Sequence, residues 1–109
     1  MERDDLAIPD GLSSAGKRAA EIILKVLKKH DMTYTGGCRA FYTPKEWCER
    51  EEKYGLNSEL IVCHDGGNLA HFFNWDYEEY ALLDEMFFAL EEEGYTPDPC
   101  YGWYTAIYS

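Results

Sequence analysis

Long apolar runs are missing from this chain, and so is a basic start followed by an apolar stretch and a small-residue cleavage site; the sequence opens MERDDLAIPDG. The first absence argues against a helical membrane span, and the second sets the expectation of a cytosolic protein. Cations are scarce as well: ten Lys and Arg stand against 21 Asp and Glu, a formal net charge of −11. That balance lowers affinity for phosphate backbones and membrane headgroups, so direct nucleic-acid or membrane binding is not expected and a basic partner is favoured. The four cysteines (Cys38, Cys48, Cys63, Cys100) lack the close spacing of structural zinc sites, and their wide separation points to reduced thiols rather than a disulfide framework. Gly36-Gly37 and Gly66-Gly67 precede no lysine–serine element and read as turns rather than phosphate cradles. No repeat, low-complexity tract or interdomain linker appears.

What is present suits one compact domain of 109 residues, large enough to fold without a metal or a disulfide. Residues 1–12 read as a flexible leader closed by Pro9 and Gly11, and residues 13–109 as a single α+β domain. Ser13 or Ser14 caps a helix to about His30, with Ala15, Ala19, Ile22, Ile23, Val26 and Leu27 on one side and Lys17, Arg18, Lys25, Lys28 and Lys29 on the other. A short strand is predicted over 38–42. Thr43-Pro44-Lys45-Glu46 then opens a short helix to Tyr54, stopped by Gly55. Glu59 to His64 alternates as a strand, and Asp65-Gly66-Gly67-Asn68 predicts a reversal into an antiparallel Leu69–Phe73. Asp76 with Glu79 opens a long helix to Glu93, and Cys100 to Tyr108 closes the fold as a strand. The expected architecture is a mostly antiparallel sheet of about four strands, with two main helices on one face and one short helix.

The charge and the rings are unevenly placed. Between Glu46 and Asp98 fifteen carboxylates face two bases, Arg50 and Lys53, and sixteen of seventeen aromatic residues lie at or after Phe41. On a wheel of about 100° per residue the long helix has two apolar faces. Tyr80, Leu82, Leu83, Met86, Phe87 and Leu90 form the stripe expected against the sheet. Opposite them, among Glu78, Asp84, Glu85, Glu91 and Glu92, stand Tyr77, Ala81 and Phe88, where a solvated helix needs no phenylalanine. Burying Phe88 would be worth on the order of 2 to 3 kcal/mol, so either a loop or the C-terminal tail of the chain covers it or a partner does.

Cys63, His64 and Asp65 are consecutive, but neighbouring strand side chains point to opposite faces and cannot act together as nucleophile and base. A thiol–imidazole pair would need Cys38 to meet His64 or His71 in space. Those two histidines could face each other across the expected hairpin. No residue is assigned a catalytic role, and no metal or cofactor is expected.

The run Cys48-Glu49-Arg50-Glu51-Glu52, together with Tyr77-Glu78-Glu79-Tyr80 and Glu91-Glu92-Glu93, resembles small acidic phage-encoded inhibitors of the anti-CRISPR and DNA-mimic class. The resemblance spans the second half of the chain. It implies carboxylates that imitate phosphates in the cationic groove of a nucleic-acid-handling protein, and a cytoplasmic setting. The first helix departs from it, being basic. The resulting expectation is a non-enzymatic interaction protein that engages a basic protein through Tyr77, Asp84, Glu85, Phe88, Glu91 and Glu92. Two other readings stand beside it: a small enzyme or metal-binding domain using Cys38 with His64 or His71, and a homodimer in which basic and acidic helix faces meet.

Overall fold

The computed structural model describes residues 6–34, 39–52, 57–64, 67–74, 77–101 and 103–109. In chain order the elements are α1 (Ser14–Lys29), β1 (Phe41–Tyr42), α2 (Pro44–Glu49), β2 (Leu60–Cys63), α3 (Ala70–Phe73), α4 (Tyr80–Glu92), β3 (Thr96–Tyr101) and β4 (Tyr104–Tyr108). The fold is α+β, with all strand pairs antiparallel in the order β1-β2-β4-β3.

Helix α1 begins where its sequence provides a cap: the Ser13 side chain accepts the Gly16 amide at 3.0 Å. Gly16 lets α1 press against the strand region, since a Cβ there would collide with the Glu59 carbonyl oxygen. Thr43 and Glu46 form the expected capping box, with both reciprocal bonds at 3.0 Å and Pro44 in the first turn. Arg39 grips the same Glu46 carboxylate through two bonds of 2.7 and 2.9 Å and holds its pKa below the usual range. At the far end of α4 the chain reverses through Gly94 at φ +91°. The Gly94 amide bonds Glu91 O and the Tyr95 amide bonds Leu90 O, both at 3.0 Å, which satisfies two carbonyls of the last turn.

Strand alternation divides the interior in two. Phe41, Leu60, Val62 and Ile107 join α1, α3 and α4 in the main core, with Ile23, Leu27, Met86 and Leu90 from the two long helices. Ile61, Tyr104 and Ala106 point to the other face, where Trp47 of α2 covers them. The Trp47 ring is fully buried, with centroids 4.9 Å from Tyr42 and 5.0 Å from Tyr104. Thus α1 and α4 share one face as expected, and the short α2 takes the opposite one.

Several expectations are corrected. The predicted hairpin does not form: Leu69–Phe73 does not return as a strand, because Ala70–Phe73 is a helical turn and β4 occupies the place beside β2. Leu69, Ala70, Phe72 and Phe73 are all buried, and their spacing of three and four suits a helix facing the core better than a half-wet strand. The closing strand is two strands, since β3 starts at Thr96 and pairs with β4 despite Pro97 and Pro99. As an edge strand, β3 tolerates residues that lack an N–H. Residues 6–12 are not a free leader, because Leu6 and Leu12 are buried in the main core. Helix α2 stops at Glu49 rather than reaching Tyr54, and α4 begins at Tyr80, after a Glu78 held at φ +56°. Tyr80, expected in the buried stripe, is therefore a first-turn residue and 50% exposed. The capping Asp76, the turn residues Asp65 and Gly66, and the helix stop Gly55 lie outside the described residues.

Candidate functional site

Helix α4 is two-sided, as its sequence suggested. Leu83, Met86 and Leu90 are at most 1% exposed, whereas Phe88 is 65% exposed. The C-terminal residues do not cover Phe88, because Tyr104–Tyr108 is an interior strand of the sheet. Ala81, Asp84, Glu91 and Glu92 are exposed beside it, and i, i+3 and i+4 spacing sets Ala81, Asp84, Phe88 and Glu91 on one strip. Tyr77 precedes the helix. Its ring meets the edge of His71 at 4.9 Å between centroids, which places it near the strip's start rather than on one of its turns.

The two long helices meet through charge. Glu85 receives Lys29 Nζ at 2.9 Å and His30 Nε2 at 2.8 Å, and Arg18 lies 3.2 Å from Glu93. The Lys29 hydrogen bond first, and then the His30 one, lower the Glu85 pKa. These contacts run α1 and α4 antiparallel, with a groove of about 400 Å³ between them. Ile22, Val26 and Ala89 contribute apolar lining; Arg18, Lys25 and Lys29 line it from α1, and Glu85, Glu92 and Glu93 from α4. Phe88 lines it too. The basic face of α1 was visible in the sequence, but its position opposite the α4 acids depends on how the helices pack, and His30 gave no local signal of its role. Glu85 is thereby partly neutralised within the chain, whereas among the described residues Asp84, Glu91 and Glu92 form no ion pair.

The residues of the catalytic or metal reading occupy separate surroundings. His64 is 1% exposed, its Nε2 2.9 Å from Thr105 Oγ1 and its ring stacked on Phe73 at 5.3 Å. Burial pushes its pKa down to about 4, so it is a neutral core imidazole at pH 7. His71 lies on α3 against Tyr77, with Nδ1 3.8 Å from Glu79 Oε1. The two histidines thus do not face each other across a hairpin. Cys38 lies outside the described residues. Cys63 alternates to the Trp47 side of the sheet, away from His64, as strand geometry required. Burial first, and then Asp98, push the Cys100 thiol up, which makes it a poor nucleophile. Among the described residues no group of three or more His, Cys, Asp or Glu could hold a metal ion, and no helix is long and apolar enough to cross a membrane.

Comparison of the chain with protein-family models, with curated proteins and with solved structures finds no match.

Proposed function

We propose that this protein is a non-enzymatic interaction module that binds a partner presenting a basic surface through the outer strip of α4. Phe88 is the apolar anchor, Asp84, Glu91 and Glu92 supply the charge, and Tyr77 with Glu85 flanks them. The carrying observation is the 65% exposure of Phe88 on a helix whose opposite side is sealed in the core. A large ring ringed by unpaired carboxylates is the composition of a contact surface, with desolvation of the ring giving affinity and the charges giving orientation and encounter rate. The excess of acid in the second half of the chain and the net charge of −11 add long-range attraction for a cationic partner.

A finer form of this reading is a phage-type inhibitor acting in the host cytoplasm, with the α4 carboxylates standing in for phosphates on a nucleic-acid-handling protein. The cationic α1 alongside limits such mimicry to α4. The test is capture on the immobilised full chain at about 50 mM and about 500 mM salt, with the captured proteins identified. Captured proteins that present a basic surface and are held at least about 30-fold more weakly on Phe88→Ser are expected, a foreign basic protein being held at low salt and released at high salt. Capture indifferent to Phe88→Ser would overturn the proposal.

A further inference from the structure

We infer that the basic surface recognised by α4 is α1 of a second copy, so that the chain forms a twofold dimer through its α1/α4 groove. This rests on the reading that α4 around Phe88 is an interface; it names the occupant and seats it on the groove side of Phe88, with Glu85 and Glu92, while Asp84 and Glu91 lie outside the groove lining. The groove demands an unusual partner: a uniformly basic one would meet Arg18, Lys25 and Lys29 on one wall, and a uniformly acidic one Glu85, Glu92 and Glu93 on the other. The surface that answers both walls is this same surface turned over. Arg18–Glu93 and Lys29–Glu85 fix the two helices antiparallel and level with each other. A twofold axis along the groove therefore lays α1 of each copy on α4 of the other at the same height. An axis across the groove would set α1 on α1 and cation on cation.

In the favoured arrangement Phe88 of one copy meets chiefly the aliphatic stem of Lys25 of the other, over the small exposed edges of Ile22 and Val26, which are 6% and 7% exposed. Side chains lean towards their own helix N-terminus, so Lys25 leans towards Ile22 and Glu92 towards Phe88, and each converges on its counterpart across the interface. Both are free for this, since among the described residues neither makes an ion pair within its own chain. Size sets the strength. With 16 residues α1 is about 24 Å long. Two helices side by side offer a footprint of about 500 Å² per copy, below the roughly 800 Å² of a standard interface, so the dimer is reversible. Two chains of −11 also repel at long range, and salt screens that repulsion more than it screens contacts inside a closed interface. Association should therefore rise between about 10 mM and about 150 mM salt, opposite to the behaviour expected for a basic foreign partner.

Sedimentation equilibrium of the full chain from about 10 µM to about 500 µM tests this. Wild type should pass from monomer to dimer, and Phe88→Ser, Lys25→Glu and Glu92→Lys should each remain monomeric and folded, the two charge variants with melting temperatures close to wild type and Phe88→Ser with a loss of about 10 °C or less. An equimolar mixture of Lys25→Glu and Glu92→Lys should dimerise again, because each contact of the mixed pair regains opposite charges. A wild type that stays monomeric throughout, or a mixture that fails to associate, overturns the inference. A monomer that still captures basic proteins in a Phe88-dependent way would leave the proposed function standing and remove only the second copy. A wild-type dimer untouched by Phe88→Ser would sink the α4 interface itself.

Discussion

The functional proposal depends on Phe88 contributing little to its own fold, and a paired truncation on α4 measures that. Phe88 buries only about a third of its surface, being 65% exposed. With a side chain of about 200 Å², that is roughly 70 Å² removed from water, or at most about 1.7 kcal/mol at 25 cal/mol per Å². An extended-chain reference overstates burial, and alanine regains about 0.5 kcal/mol of helix propensity, so Phe88→Ala should cost about 1 kcal/mol or less. Met86, two positions earlier and 0% exposed, has no such relief, and Met86→Ala should cost about 2 to 5 kcal/mol. For a domain of this size 1 kcal/mol moves the melting temperature by about 4 to 8 °C. Thermal unfolding followed by circular dichroism at low concentration, where only monomer is present, should show a loss of a few degrees for Phe88→Ala and roughly 10 °C or more for Met86→Ala. Equal losses would mean that Phe88 serves the monomer's core, and the interface proposal would lose its basis.

Gly16→Ala should destabilise by about 1 to 3 kcal/mol in urea titration, because its new methyl meets the Glu59 carbonyl oxygen; an unchanged midpoint would show that α1 moves away without cost. His64 gives a pH signature. Its folded pKa is about 4 against an ordinary 6.5, so between those values the unfolded chain takes up a proton that the native one refuses. Stability is thus full above pH 6.5 and falls as pH drops towards 4, by about 3 kcal/mol from this residue. His64→Gln, which keeps a polar group near Thr105 without titrating, should flatten that part of the pH–stability curve; an unchanged slope would refute the assignment.

Local chemistry made much of this fold readable. Ser13 and the apolar spacing of Ala19, Ile23 and Leu27 announced α1, Thr43-Pro44-Glu46 announced α2, and the two-sided wheel of α4 placed Phe88 outside. The sequence failed where distant segments compete for one position. Leu69–Phe73 is a short apolar run beside a turn signal, yet β2 pairs with Tyr104–Ile107, each pair more than forty residues apart in sequence. No local pattern states which of two apolar runs the middle of the sheet will accept. Pro97 and Pro99 likewise concealed β3, since proline counts against a strand until its edge position is known. The site was legible on its α4 side. Its α1 wall was not, because the salt links of Lys29 and His30 to Glu85 exist only after the two helices pack.

The borders of the sheet carry a separate consequence. One border is β1, two residues long, and the other is β3, in which prolines at 97 and 99 withhold amide donors from any strand arriving alongside. Templated growth into fibres needs a long, fully bonding border, and neither side supplies one. Crowding this protein should therefore drive it together through helices, reversibly, rather than by cross-β stacking.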